Sequence, residues 1–128
     1  MKKIIFLLIT FIFLLLSCGL NEDIDIKRDG DIWLDVQISK NPSVSWDSEK
    51  WQVKKLTFDM IGDPSHTIWE INSNTSIPSP VTYKILPEGC SESSRYTGKA
   101  LNLATGVRCK FSVFTENNKQ GNIYFKIK

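Results

Sequence analysis

From residue 31 onward, apolar and polar residues alternate with a period of two, which is typical of β-strands with one buried face. No segment shows a sustained helical period. The doublet Lys54-Lys55 interrupts one of the alternating segments and predicts a β-bulge there. The alternation is clearest in four segments, which are 32–38, 51–60, 107–113 and 123–127.

Turn-forming residues separate these segments. Asn41-Pro42-Ser43 and Pro87-Glu88-Gly89 are typical turn sequences, and 116–121 predicts a hairpin between the last two strands. Between the turns, 67–71 and 81–86 are rich in β-forming residues. Turns spaced about 8 to 12 residues apart, with about six to eight short strands, predict an all-β antiparallel sandwich.

Two further segments carry weaker patterns. Gly62-Asp63-Pro64-Ser65 predicts another turn. Residues 90–105 are mixed in character, and we expect no more than a short strand at 99–103.

The first 17 residues differ from the rest of the chain. Lys2 and Lys3 are followed by 4–16, a run of 13 residues that is apolar apart from Thr10. This run is shorter than the about 20 residues of a membrane-spanning helix, and the arrangement is typical of a secretory signal peptide. It predicts an N-terminal signal helix.

Leu15-Leu16-Ser17-Cys18 ends this segment. It resembles the lipobox of bacterial lipoproteins, in which the cysteine is diacylated and becomes the new N-terminus. The resemblance implies that Cys18 attaches the chain to a membrane, since two acyl chains anchor firmly. The alternative is an ordinary N-terminal anchor helix with a chance cysteine.

The chain then divides into a signal peptide (1–17), a lipidated tether (18–30) and a β-sandwich domain (31–128). Without residues 1–17 it has 14 basic and 14 acidic residues. A neutral chain without a basic run gives no sign of binding nucleic acid or an anionic membrane surface.

The resemblance also bears on localisation, which we expect to be the bacterial cell envelope. By similarity to enterobacterial sorting rules, Gly19 after the cysteine favours the outer membrane, facing the periplasm. The acidic residues Glu22, Asp23 and Asp25 weakly resemble export signals for the cell surface.

Cys90 and Cys109 are the remaining cysteines. An even pair in a small exported domain predicts a disulfide, which would close a loop of about 20 residues and stabilise the fold by roughly 3 kcal/mol. A redox-active or metal-binding pair is the alternative. It lacks a C-x-x-C motif and has only His66 as a histidine ligand.

Residues 103–113, Leu-Ala-Thr-Gly-Val-Arg-Cys-Lys-Phe-Ser-Val, resemble the Leu-x-Pro-Gly-x-x-Tyr-x-Val-x-Val stretch of fibronectin type III and related immunoglobulin-like domains. The resemblance implies an immunoglobulin-like sandwich. Thr105 stands where proline is usual, and Cys109 where a corner tyrosine is usual. The resemblance therefore implies that a Cys90–Cys109 bridge replaces the hydrogen-bonded corner.

A second resemblance covers 68–127. Ile68-Trp69-Glu70-Ile71, Pro87-Glu88-Gly89, Leu103 with Gly106, and Phe125-Lys126-Ile127 resemble a recurring pattern in small bacterial lipoproteins. Some of those are proposed to be periplasmic immunity proteins against type VI secretion effectors. The resemblance implies that a toxin is the partner.

No set of residues predicts catalysis, and we expect neither an enzyme nor a cofactor. His66 lies beside Asp63 and Ser65, but triad members converge from distant segments. Asp29 and Asp31 flank a glycine and are weak candidates for a cation site.

The four tryptophans are the remaining candidates for function. Trp33 lies on the face opposite its apolar neighbours, and Trp46 precedes a polar segment, so both are candidate partner-binding residues. Trp51 and Trp69 are expected in the core.

The expected function is a non-enzymatic envelope lipoprotein that binds another protein, and an immunity role is its most concrete form. The alternatives are an assembly accessory of an envelope machine and, less favoured, a carbohydrate-binding module.

Overall fold

The computed structural model describes residues 26–62, 65–97 and 102–128, with the backbone alone for 94–97. These residues form nine β-strands and no helix. In chain order the strands are β1 (Lys27–Gly30), β2 (Asp35–Gln37), β3 (Ser43–Ser45), β4 (Val53–Met60), β5 (His66–Asn72), β6 (Val81–Thr82), β7 (Ser91–Thr97), β8 (Arg108–Thr115) and β9 (Gln120–Lys126).

The strands form two antiparallel sheets. The larger sheet has six strands in the order β1-β9-β8-β4-β5-β7, and the smaller has three in the order β2-β3-β6. The two sheets pack as a sandwich. The predicted all-β antiparallel sandwich is therefore confirmed.

The core lies between the two sheets and is centred on Phe58 of β4. Its ring stacks on that of Tyr83, which follows β6, with centroids 4.5 Å apart, and meets Phe111 of β8 edge-on at 4.6 Å. These contacts join one sheet to the other, and aromatic pairs add to the stabilisation from burial alone. The larger sheet also contributes Leu56, Trp69, Ile71, Val113, Ile123 and Phe125, and the opposite layer contributes Ile32, Leu34, Val44, Ile77, Val81 and Leu103.

The outward face of the larger sheet is polar. The Ser112 hydroxyl on β8 donates a hydrogen bond to Asn122 Oδ1 on β9 at 2.7 Å, and Asn122 Nδ2 donates to Asp29 Oδ1 on β1. Ser112 and Asn122 are buried, although they point away from the core. A chain of hydrogen bonds therefore links three neighbouring strands.

The strongest alternations correspond to β4, β8 and β9. A tight turn joins β8 to β9, as predicted for 116–121. The predicted bulge is also confirmed, because the register between β4 and β8 shifts between Val53 and Lys55.

The structure differs from the prediction at the N-terminal end of the domain. Residues 27–30, assigned to the tether, form β1 and pair with β9. The next segment crosses to the smaller sheet, and Gln120 O accepts hydrogen bonds from the backbone N–H groups of Asp31 and Ile32. Only 35–37 of the predicted strand at 32–38 pair as β2.

Strand β7 was not predicted, because its sequence, Ser-Glu-Ser-Ser-Arg-Tyr-Thr, lacks apolar alternation. It lies at an edge of the larger sheet. Most of the short strand considered at 99–103 lies outside the described residues.

The predicted Cys90–Cys109 bridge is wrong, since both residues are free thiols. Cys109 is paired with Met60, at the end of β4 that adjoins the start of β5. Cys90 directly precedes the strand residue that pairs with Asn72, at the other end of β5. The seven residues of β5 span roughly 20 Å, whereas a disulfide requires Cα atoms within about 7 Å.

No helix in the described ranges is long and apolar enough to cross a membrane. The predicted signal segment 1–17 and the lipidation residue Cys18 lie outside those ranges.

Candidate binding cleft

Three of the four tryptophans meet at one cleft of about 370 Å³. Trp33 lies between β1 and β2, Trp46 directly follows β3, and Trp51 lies two residues before β4. The cleft is also lined by Ser45, Lys50 and three carboxylates, those of Asp31, Asp35 and Asp47. The structure thus brings together both predicted partner-binding tryptophans and adds Trp51.

Trp33 is held outward by its neighbours in sequence. Ile32 and Leu34 are buried in the core, so the residue between them points away from it, as the alternation predicted. Trp33 is 65% exposed, which is unusual for so large an apolar surface. It is therefore available for contact with another molecule.

Arg28 and Asp35 hold this exposed side chain in place. The Arg28 guanidinium lies over the Trp33 ring, with its central carbon 4.3 Å from the centroid. Trp33 Nε1 donates to Asp35 Oδ1 at 3.2 Å, and Arg28 forms an ion pair with the same carboxylate at 3.3 Å. Arg28 Nε also donates to Leu34 O at 2.6 Å. A side chain fixed in this way loses less conformational entropy on binding.

Trp46 is buried, so only a small part of its ring borders the cleft. Its side chain is 8% exposed and packs in the core, and its backbone N–H donates to Ser79 Oγ at 2.9 Å. Its Nε1 is buried and has no hydrogen-bond partner in the described part of the chain. An unpaired buried donor costs about 1–3 kcal/mol.

The segment between Trp46 and Trp51 is a tight turn. Asp47 Oδ1 accepts hydrogen bonds from the backbone N–H groups of Glu49 and Lys50, at 3.1 and 3.2 Å, and Asp47 O accepts one from Trp51 N at 3.0 Å. Lys50 Nζ lies 5.3 Å from the Trp51 ring centroid. Trp51 is half-buried rather than fully in the core, whereas Trp69 is fully buried as predicted.

The charge of the cleft favours a cationic ligand. Three carboxylates line it against one lysine, and aromatic rings beside carboxylates attract ammonium and guanidinium groups. Because Asp35 is already paired with Arg28, Asp31 and Asp47 carry the charge available to a ligand.

The described residues do not assemble a metal site or an obvious nucleophile. No group of three or more His, Cys, Asp or Glu residues is placed to hold a metal among them. Asp29, a weak candidate for a cation site, accepts a hydrogen bond from Asn122. Burial raises the pKa of the Cys109 thiol to about 12 and also raises that of Cys90. Both thiols therefore stay protonated and weakly nucleophilic at neutral pH.

Sequence reasoning missed Trp51 and the three carboxylates as cleft residues. Trp46 and Trp51 flank Asp47 in sequence, which was a local signal for a turn carrying two aromatic rings. Trp33 joins them only because β2 pairs with β3 and places Asp35 opposite Ser45. That pairing lies in a three-residue strand, too short to predict from alternation.

No protein-family model matches this chain, and comparisons with curated proteins and with solved structures likewise give no significant match.

Proposed function

We propose that this chain is a non-enzymatic envelope lipoprotein, tethered through Cys18, whose domain binds another protein at the three-tryptophan cleft. The observation that carries the proposal is the exposed Trp33, held by Arg28 and Asp35 beside the carboxylates of Asp31 and Asp47. Fixed aromatic side chains are typical energetic anchors of protein interfaces.

The cleft suits a basic side chain of the partner. A lysine or arginine entering it would meet the carboxylates of Asp31 and Asp47, with aromatic rings on either side. A loop or terminus with an exposed basic residue therefore fits the chemistry of the site.

An immunity role is the most concrete form of this function. A tethered domain that covers the active site of an incoming toxin needs a stable scaffold and a complementary surface, but no catalytic residues. The resemblance of 68–127 to small lipoproteins, some of which are proposed to be immunity proteins, supports this form. An assembly accessory of an envelope machine would use the same surface.

A carbohydrate-binding module is the second candidate. Aromatic rings stack on sugars, and the carboxylates of the cleft could accept hydrogen bonds from sugar hydroxyls. The net negative charge of the cleft favours a basic protein ligand over a neutral sugar.

The direct test compares Trp33→Ala with Ile85→Ala in the full-length chain. The two side chains are similarly exposed, at 65% and 63%, so Ile85 is a matched control. Tryptophan fluorescence titrated with tetra-lysine should show binding that Trp33→Ala weakens by at least ten-fold, that Trp33→Tyr largely retains and that Ile85→Ala leaves unchanged. Tetra-glutamate should not bind.

The melting temperature should change by no more than a few degrees in Trp33→Ala. A large fall, or unchanged tetra-lysine binding, would contradict the proposal. Displacement by neutral oligosaccharides at low millimolar concentration would favour the carbohydrate alternative. The immunity form fails if cells lacking the chain remain insensitive to a toxin encoded beside it.

A further inference from the structure

Four basic residues that are distant in sequence meet at one end of the larger sheet. Lys27 of β1 and Lys110 of β8 both pair with Tyr124 of β9, and Arg108 pairs with Lys126. Paired residues on neighbouring strands point to the same face, so all four lie on the outward face. Lys27 and Lys126 are 99 residues apart, which is why the sequence contains no basic run.

Three of these residues are uncompensated. Lys27, Arg108 and Lys126 are exposed and form no ion pair with the residues that the structure describes, whereas Lys110 pairs with Asp59 at 3.5 Å. A depression of about 380 Å³ lies among the three, and no carboxylate lines it. We call these three residues the basic end of the sheet.

The basic end lies where the chain enters the domain. Lys27 is the first residue of β1 and comes nine residues after Cys18. Nine residues reach at most about 30 Å, so an anchor at residue 18, or in the apolar run before it, keeps this end close to the membrane. The carboxylates of the tryptophan cleft lie elsewhere in the domain, beside β2 and β3.

We propose that the basic end of the sheet binds the phosphate groups of anionic lipid headgroups in the membrane that carries the chain. Lys27, Arg108 and Lys126 supply the positive charge, and proximity to the tether selects the membrane over a soluble anion or a nucleic acid. This inference rests on the membrane attachment of the proposed function, but not on its tryptophan cleft.

The interaction would orient the domain. Each lysine or arginine near an anionic surface strengthens association by about five-fold at low salt, so three together act as a substantial second contact beside the anchor. The sandwich would then stand on the end of β1, β8 and β9 rather than rotate freely around its tether.

The first test measures lysine acetylation in the full-length, lipidated chain reconstituted into vesicles. One vesicle population is phosphatidylcholine, and the other contains one quarter phosphatidylglycerol. Mass spectrometry should show Lys27 and Lys126 acetylated at least three-fold more slowly in the anionic vesicles. Lys119 is the matched control, because it lies at the opposite end of the β8–β9 hairpin, and its rate should not change.

The protection should disappear in 0.5 M NaCl, where screening shortens the reach of charges to roughly 4–5 Å. Equal acetylation in both vesicle types would overturn the proposal, as would equal protection of Lys119. Protection by inorganic phosphate added to phosphatidylcholine vesicles would show that a soluble anion is the ligand instead.

The second test compares two triple variants with the same change in charge. One carries Lys27→Gln, Arg108→Gln and Lys126→Gln. The other carries Lys40→Gln, Lys54→Gln and Lys119→Gln. Energy transfer from tryptophan to a dansyl-labelled lipid should rise with phosphatidylglycerol in the parent and the second variant, but not in the first. An equal rise in both variants would overturn the proposal.

Flotation with phosphatidylcholine vesicles tests the membrane anchor separately from the basic end of the sheet. A chain that fails to float lacks the anchor, which refutes the membrane attachment and this inference together. A chain that floats but shows no dependence on phosphatidylglycerol refutes the basic end alone.

Discussion

Arg28 stacks on Trp33 at 4.3 Å although it belongs to the inward-facing row of β1, opposite the buried Ile123. At this edge of the sandwich its side chain leaves the core. It bonds to Leu34 O and Asp35 instead. One arginine thereby joins the edge of the larger sheet to the segment that leads into the smaller sheet, and it fixes the most exposed tryptophan of the cleft.

Replacing Arg28 with methionine should loosen Trp33. The methionine keeps an apolar stem but loses the cation over the ring and the ion pair, so the free energy of unfolding should fall by about 1 kcal/mol. Acrylamide quenching of tryptophan fluorescence should increase, and tetra-lysine binding should weaken several-fold. Arg108→Met, which removes an arginine remote from Trp33, is the control. Unchanged quenching in Arg28→Met would contradict the positioning role.

Replacing Gly121 with alanine should destabilise the domain strongly. A Cβ at Gly121 would overlap the carbonyl oxygen and the Cβ of Ile32, where the chain crosses between the layers. The backbone cannot move without displacing the buried Ile32, so we expect a loss of more than about 2 kcal/mol. Gly89→Ala is the control, because Gly89 has open space around it and a φ of +80°.

Gly89→Ala should cost only about 1 kcal/mol, from its left-handed backbone conformation. Urea unfolding of the two variants gives the comparison. Equal losses would show that the contact between Gly121 and Ile32 relaxes easily.

Replacing Asn122 with alanine should break the hydrogen-bonded chain on the outward face. The Ser112 hydroxyl would lose its acceptor while it stays buried, so we expect a loss of about 1–3 kcal/mol. The double variant Ser112→Ala with Asn122→Ala should cost less than the sum of the two single changes, because it leaves no buried hydroxyl unpaired. Asn41→Ala, at an exposed position, should be nearly neutral. Additive losses in urea unfolding would contradict the coupling.

Stability should fall above pH 9, because two buried groups resist ionisation in the folded state. Burial raises the pKa of Cys109 from 9.0 to about 12. Burial, and then the charge of Cys109, raises that of Tyr83 from 10.0 to about 12. Below pH 9 both groups are protonated whether the chain is folded or unfolded. Between pH 9 and 12 the unfolded chain loses these protons first, so folding weakens by up to about 1.4 kcal/mol per pH unit for each group.

Thermal unfolding between pH 8 and 11 measures this effect. Cys109→Val should reduce the loss between pH 9 and 10, where the Cys109 thiol contributes more than Tyr83, and should leave most of the loss from Tyr83 above pH 10. If Cys109→Val follows the parent throughout, the buried thiol is not its source.

The sequence predicted the central strands well, because β4, β8 and β9 each bury one face and therefore alternate. It failed at the two edges of the larger sheet, where the strands bury little apolar surface and therefore do not alternate. Strand β7 has a polar sequence, and β1 carries only charged residues and a glycine, so backbone pairing rather than side-chain burial makes them strands.

The candidate sites depended even more on pairing. Trp33 was predictable from its buried neighbours, because a strand residue between two core residues points outward. Trp46 is buried in a core built from distant segments, and its backbone bonds to Ser79, more than thirty residues away. The basic end arises from the register of three strands. The Cys90–Cys109 prediction failed because the two cysteines, although close in sequence, lie near opposite ends of β5.

Strand β1 also determines how the domain would carry mechanical force. Between Lys27, at the tether, and Trp33, at the cleft, the covalent path consists of β1 and the short crossing segment alone. A partner pulled away from the membrane would load this path and its four-residue pairing with β9. Tension would pass beside the core formed by β4 and β8, so the complex could bear load while the sandwich stays folded.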